Sequence, residues 1–301
     1  MIVAINGNRH QEGHLEAIDK LVSYFVAQGH RVILAEPFLH YLVDNLGDRF
    51  AMGLDSMPLT QHPAADIAFS IGGDGAFLKT ARWIGPSCAP IAGINTGHLG
   101  YLSAFSFENP DDLRDMLING RYRVEERSLL QVDIELAQSD ASAARSRSIP
   151  RTLTALNEIA ITRGDIASML RIAAVIDGSR SLNYMGDGLI ISTPTGSTAY
   201  NLSVGGPILD PELQGWVLSP VAAHSLSMRP LVVKDTSVIR ITVESRGEGY
   251  RRAADGKSWT LPLGAMLSVR KAPYMVRLIV QPEHTFTDTL RDKLGLGNTL
   301  V

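Results

Sequence analysis

The chemistry on offer begins with four residues, Gly72-Gly73-Asp74-Gly75. They follow an apolar run of strand length at 67–71 and lead into a segment, 76–83, that suits a helix. A strand that stops at a glycine turn and feeds a helix leaves bare backbone N–H groups at the helix start. Those groups and the helix dipole attract phosphate. Glycine lets a bulky anion approach the backbone and permits positive φ, so Gly72, Gly73 and Gly75 are candidate phosphate contacts. Asp74 is the odd member, because a carboxylate repels phosphate unless it has work to do. It could bind Mg2+, or take a proton from a hydroxyl that attacks phosphorus. Taken alone, the four residues also describe a tight turn whose Asp caps the helix.

The densest stretch in the chain is 186–206. Gly186-Asp187-Gly188 precedes a strand at 189–191, and Ser192, Thr193, Thr195, Ser197 and Thr198 come after it, before a helix-compatible segment at 199–204. Hydroxyls beside bare N–H groups suit sugar hydroxyls and phosphates. Tyr200 adds a flat face for a base and a phenol. Asp187 is again a carboxylate on a flexible turn. A helix cap accounts for one or two of these residues, not for the whole run. Upstream, Asn157-Glu158 interrupts an apolar strand at 153–161. The alternation turns one of the pair inward, where a ligand or a hydrogen bond within the sheet must satisfy it.

The elements that position these residues fall into two groups. Strands at 1–6, 31–35, 67–71 and 89–94 alternate with helical stripes at 14–28, 37–46, 76–83 and 111–118. That grammar predicts βαβ units and a mostly parallel, Rossmann-like sheet, with ligands at the carboxyl ends of its strands. Both the glycine turn and the loop 95–101 belong on that rim. From about residue 121 the pattern becomes strand upon strand, at 122–126, 129–136, 153–162, 170–176, 189–192, 238–243 and 267–269, which predicts a mainly β domain. The expected fold class is α/β, an N-terminal α/β domain (1–126) followed by a β-rich domain (127–284) and a closing segment (285–301) with a short helix. The Ser-, Ala- and Arg-rich stretch 137–151 reads as a hairpin tip.

The totals narrow the class. The chain has 301 residues, a hydrophobic fraction of 45% and a formal net charge of -3. Such a chain can bury a core, and its charge gives no reason to expect nucleic acid or an anionic membrane as partner. No apolar run reaches spanning length. The chain starts directly as a strand without a basic leader, so no signal peptide is expected and a cytoplasmic enzyme is the default. The single Cys88 excludes an internal disulfide or a multi-cysteine zinc site and reads as a small filler. No protein residue is assigned to a metal, since the eight histidines lack ligand spacing; His98, beside glycines on the rim, is the one to watch. There is no G-x-x-x-x-G-K-[ST], no G-x-G-x-x-G with a later acid, and no protein-kinase motif set.

With these motifs in order, the chain resembles the NAD kinases. The resemblance rests on 72–78, on Gly93-Ile94-Asn95-Thr96-Gly97-His98-Leu99-Gly100-Tyr101, on Leu156-Asn157-Glu158, on Gly186-Asp187-Gly188, on 192–200 and on the tail 286–295. It implies phosphoryl transfer from ATP, with Mg2+ or another divalent cation, to the adenosine-ribose 2′-hydroxyl of NAD. It implies Asp74 as general base, with Gly75 approaching the ligand through its backbone. Asn157, Glu158, Asp187, Thr198, Ala199, Tyr200, Asn201 and Ser203 would contact NAD, Asp187 from across a subunit interface, beside the hydroxyl of Thr195 and with Tyr101 as an aromatic wall. Lys79, one turn into the helix, is placed near the phosphates by position. A homodimer or homotetramer is implied. Ala76, Met185 and Tyr101 depart from residues common in the family, where Thr, Arg and Phe stand. Two other functions use parts of the same pattern: a diacylglycerol-type lipid kinase shares the glycine–aspartate turn, and a nucleotide-sensing protein would need only the pocket.

Overall fold

The computed structural model describes residues 1–97, 100–108, 110–136, 149–164, 169–247 and 249–297. Contacts divide the chain into two units, Met1–Glu126 with Tyr274–Val301, and Arg127–Pro273.

The first unit opens with strand β1 (Ile2–Gly7), helix α1 (Leu15–Ala27), β2 (Arg31–Ala35), α2 (Glu36–Leu46) and a short β3 (Asp55–Met57). It continues with β4 (Ile67–Ile71), α3 (Asp74–Ile84), β5 (Ile91–Asn95), β6 (Phe105–Ser106) and α4 (Pro110–Asn119). β1 pairs in parallel with both β2 and β4, and β4 with β5, in the order β5-β4-β1-β2-β3. This is the parallel sheet that the strand–helix alternation predicts. Its interior strands are continuous apolar runs, as a sheet covered on both faces requires. α1 buries Ile18, Leu21, Val22 and Phe25 on one stripe, and Phe25 packs its ring 5.2 Å from Phe69 of β4. Because β4 and β5 are neighbours, the loops that leave their carboxyl ends emerge side by side.

β7 (Arg123–Glu135) carries the chain into the second unit. Next are β8 (Thr152–Ala155), β9 (Glu158–Arg163), β10 (Leu170–Ile176), β11 (Leu182–Gly186), β12 (Gly188–Ser192) and the single-turn α5 (Tyr200–Ser203). Then come β13 (Gly215–Val221), β14 (Leu231–Lys234), β15 (Ile239–Glu244), β16 (Gly249–Ala254), β17 (Lys257–Pro262) and β18 (Met266–Val280). One antiparallel sheet runs β14-β13-β12-β9-β16-β17, and β11, β10, β15 and the first half of β18 pair antiparallel as another. Both contribute to one apolar core that includes Ile159, Ile161, Leu189, Trp216, Ile241 and Leu267. The second half of β18 returns the chain to the first unit, where Leu278 pairs with Ile91 of β5. Helix α6 (Phe286–Leu294) comes last, held at its start by a reciprocal cap between Thr285 and Asp288.

Four local expectations differ from the elements that form. The two strands expected at 122–126 and 129–136 are one, β7. The strand expected at 153–162 is broken after Ala155, because the N–H groups of Leu156 and Asn157 turn to the Asp255 carboxylate at 2.8 Å each. The helix expected at 199–204 is one turn, preceded by a 3-10 turn at Thr195–Thr198. The short run at 267–269 is part of a strand of 15 residues. β11, β13, β14, β16 and β17 carry no pattern that single-sequence reading picked out. His98 lies outside the described residues, as does the hairpin-tip stretch apart from its end at 149–151.

Candidate active site

In the first unit the site is built on α3. Gly72 ends β4 with φ +131°, a backbone conformation that L side chains avoid, and donates its N–H to Ile94 O at 2.8 Å. Gly73 caps α3 in an extended conformation, and Asp74 is the first helical residue. Side chains added at Gly73 or Gly75 would point into open space. The Asp74 carboxylate is held on both oxygens. The Tyr101 N–H donates to Oδ2 at 2.9 Å and the Leu102 N–H to Oδ1 at 3.0 Å. Gly100 makes this wrap possible, since a Cβ there would sit 2.0 Å from Oδ1.

Beneath the turn, Thr80 Oγ1 donates to Ala76 O at 3.0 Å and accepts from Asn6 Nδ2 at 3.1 Å and from the Ser70 hydroxyl at 3.0 Å. Ser103 Oγ ties the far side of the loop to Gly72 O at 3.3 Å. These buried bonds fix β1, β4 and α3 as one support. The Tyr101 hydroxyl is buried and has no hydrogen-bond partner among the described residues. Burial, and then the neighbouring Asp74 charge, raise the phenol above its ordinary pKa. Lys79 is exposed on α3.

In the second unit the organising group is Asp255, which sequence reading did not single out. It sits with Gly256 at the tip of the β16–β17 hairpin, both at positive φ (44° and 77°). Its carboxylate accepts N–H groups from Leu156 and Asn157 at 2.8 Å and from Glu158 at 3.4 Å. The Asp-Gly dipeptide between two alternating runs is a hairpin signal, and that was the available clue. Of the Asn157-Glu158 pair, Glu158 is the inward member, at 9% exposure with Oε2 unpartnered. Burial first, and the Asp255 charge second, push its carboxyl up to about 7, against the pull of the Tyr200 backbone N–H.

The hydroxyl-rich run wraps this pair. Asn157 O accepts from Thr193 N at 2.9 Å and Ser192 Oγ at 3.3 Å. Gly196 is packed so closely that a Cβ would lie 2.1 Å from Asn157 O. Thr193 and Ser197 use their hydroxyls inside the fold, on Leu156 O and on the backbone of Leu209. Thr195 is buried, Thr198 and Ala199 are half-buried, and Tyr200 is 40% exposed. Asn201 is fully buried and its amide is taken: Nδ2 donates to Ser197 O and Pro207 O at 3.0 Å, and Oδ1 accepts from Ser219 at 2.6 Å. Ser203 is exposed at the end of α5. Asp187 is half-buried in the β11–β12 turn and pairs with Arg163 at 3.2 Å. The structure thus gathers Asn157, Glu158 and residues 192–201 around one point and keeps Asp187 on a separate turn of the same unit.

Among the described residues no cluster of three or more His, Cys, Asp or Glu could hold a metal ion, and no helix is long and apolar enough to cross a membrane.

A parallel sheet with a glycine–aspartate turn at a helix start, in a chain whose β unit wraps a hydroxyl-rich run around Asn157 and Glu158, fits a nucleotide-using phosphotransferase class. Residues 6–122 match the ATP-NAD kinase N-terminal domain, and residues 156–281 the ATP-NAD kinase C-terminal domain. An NAD kinase of Porphyromonas gingivalis is 37% identical over 297 residues, 98% of each chain. One of Bacteroides fragilis is 38% identical over 297 residues, 99% of this chain and 98% of that one. The fold also matches that of yeast NADH kinase complexed with NADH (TM-score 0.84, 23% identity, 100% of this chain and 89% of that one). The fold of an Archaeoglobus fulgidus NAD kinase in complex with ATP is similar too (TM-score 0.66, 23% identity, 98% of both chains). The chain belongs to the NAD kinase family. Neither the lipid-kinase nor the sensor alternative is favoured by these relatives.

Proposed function

We propose that the chain transfers the terminal phosphoryl group of ATP to the adenosine-ribose 2′-hydroxyl of NAD, giving NADP and ADP, with Asp74 as general base. Membership of the family supports kinase activity on NAD with ATP as donor. One observation carries the base assignment: both Asp74 oxygens accept backbone N–H groups at the start of α3, beside glycines open to solvent. A carboxylate oxygen has two lone pairs. Each oxygen therefore keeps one for the ribose hydroxyl while the N–H groups fix its direction. Phosphoryl transfer depends on positioning and charge neutralisation more than on covalent chemistry, and a fixed carboxylate supplies the positioning.

The NAD-binding reading for the second unit rests on Asn157, Glu158, Thr195, Thr198, Ala199 and Tyr200. Glu158 brings an unpartnered Oε2, and a nucleotide hydroxyl or amine would satisfy it. Asn201 acts in this reading by shaping the wall, since its amide is committed. A divalent cation fits a site of this kind as a companion of ATP. Mg2+ is commonly held by one or two carboxylates plus substrate phosphates, and Asp74 is the carboxylate at the glycine turn. When bound, the cation would neutralise phosphate charge. The proposal extends to a homodimer or homotetramer, in which Asp187 reaches a nucleotide on a neighbouring copy; sedimentation of the wild type tests the assembly.

The deciding experiment is NADP formation from NAD, ATP and Mg2+, with Asp74→Asn alongside. General-base assistance is worth about 10²- to 10⁴-fold in rate, and that is the expected loss. The Asn amide brings a donor against one of the two N–H groups, so melting temperature and NAD binding are measured on the same variant. Near-normal turnover in a folded, NAD-binding variant removes Asp74 from the mechanism.

A further inference from the structure

Away from the glycine–aspartate turn, the first unit holds a cavity of about 630 Å3. Ala17, Leu21 and Tyr24 of α1 form one wall, and Phe107, Leu113 and Leu117 the other. Its size and apolar walls are those of a small-molecule site. Three features specify an occupant. First, His14 lines the cavity and its Nε2 lies 3.2 Å from Thr96 O. A carbonyl only accepts, so Nε2 carries a proton toward it and Nδ1 is the ring nitrogen left for a ligand. Second, three rings face the space, those of His14, Tyr24 and Phe107, with His14 stacked on Phe107 at 5.9 Å; flat ligands suit such walls. Third, the rim charge is net negative. Lys20 is tied to Glu16 at 2.6 Å, and Glu108 forms no ion pair among the described residues.

The same cavity touches both ends of the segment that holds Asp74. Thr96 lies just past β5 and Phe107 just past β6, and these strands pair at Ile94–Phe105 and Asn95–Ser106. Between them lie Tyr101 and Leu102, whose N–H groups fix the Asp74 carboxylate. A molecule that tilts His14 or Phe107 therefore changes how this segment is anchored.

We propose that the cavity binds a flat aromatic molecule bearing a cationic N–H donor, and that its occupancy alters turnover through Thr96 and Phe107, which flank the Tyr101 and Leu102 that hold Asp74. The binding site stands independently of the catalytic assignment; the effect on turnover rests on the reading of Asp74 given above.

Tryptamine is the probe, with indole-3-acetate as a ring of similar size and opposite charge. Calorimetric titration of the full chain is expected to give saturable one-to-one tryptamine binding, undiminished by saturating NAD. Indole-3-acetate should bind about fivefold more weakly, the scale of one contact between solvated charges, and Glu108→Gln should bring the two probes level. Ala17→Phe, which fills the cavity from α1, should abolish binding and keep basal NADP formation. Saturating tryptamine should change kcat by about fivefold with little change in the KM for NAD. Displacement by NAD, equal affinity for both probes, or binding that survives Ala17→Phe overturns the site. Absence of probe binding together with a change in sedimentation of Ala17→Phe assigns the face to a second copy and overturns it equally. Specific binding with unchanged kcat removes the coupling alone. An active Asp74→Asn removes the catalytic reading and with it the route, while the binding result stands.

Discussion

The first unit holds its site carboxylate by backbone donors on both oxygens, while the second holds one carboxylate by backbone donors and leaves another short of them. Asp74 in the first and Asp255 in the second are both filled by backbone N–H groups from a distant segment. Glu158, also in the second, is buried with one oxygen bare and a carboxyl pushed up to about 7. A carboxylate gripped by backbone donors is held in a fixed direction, because each N–H pins one oxygen lone pair and leaves the other free. A buried carboxyl with one oxygen left bare is an unmet demand that a ligand or a proton answers. In this comparison Asp74 is oriented at the glycine turn, Asp255 shapes the chain around Leu156 and Asn157, and Glu158 is buried with one oxygen bare; the proposed roles of Asp74 as base and Glu158 as ligand contact build on that difference.

The largest expected effect breaks the first nest. Gly100→Ala places a Cβ 2.0 Å from Asp74 Oδ1, which forces the loop or the carboxylate to move. Misplacement by about an ångström can cost 10²-fold in rate, so kcat should drop by about that factor. A steady-state assay beside a thermal melt separates this from unfolding. Asp255→Ala removes the acceptor of three N–H groups in the second nest. Stability should fall by about 3 kcal/mol, and the KM for NAD should rise as Asn157 and Glu158 lose their placement. Urea unfolding and NAD titration read the two effects.

Glu158→Gln sharpens the third case. Its folded pKa lies above the ordinary value, so the folded state keeps a proton that the unfolded chain releases. Stability is therefore lost as pH rises from 4.5 through about 7. Glu158→Gln should remove that slope and make the protein more stable at pH 8 by up to about 3 kcal/mol; denaturation at pH 5 and pH 8 checks it. The smallest effect concerns Arg252, fully buried on β16, stacked 4.8 Å from the Trp259 ring and without a hydrogen-bond acceptor among the described residues. Burial lowers its pKa to about 10. Replacing a buried charge with a packed apolar chain is often neutral or stabilising. Arg252→Met should thus shift stability by about +1 kcal/mol, measured by the same melt; a large loss would mean the cation–ring contact outweighs the buried charge.

Much of the first site was legible because its parts are close in sequence. The apolar run at 67–71, the glycines and the helix that starts at Asp74 are consecutive, and a strand–turn–helix is a local event. Ile94 to Tyr101 was legible for the same reason, as the loop of a neighbouring parallel strand. In the second unit the hydroxyl-rich run was visible, but not the use of each hydroxyl. Ser197 and Thr193 look like ligand contacts in sequence, yet their bonds close inside the fold. Strands β13, β14, β16 and β17 were missed because antiparallel strands take their stability from partners across the sheet, and a strand read alone carries only a weak preference.

From its own order of residues, then, the chain determined the parallel sheet, the glycine turn that starts α3 at Asp74, the mainly β character of the second unit and the motifs that mark its family. The tertiary structure decided which groups meet. Asp255 reaches back 98 residues to Asn157 and breaks a strand there, and Tyr101 and Leu102 reach back across the sheet to hold Asp74. Propensity and periodicity act over a few residues. A carboxylate finds its donors only once the fold has paid the entropy of bringing distant segments together.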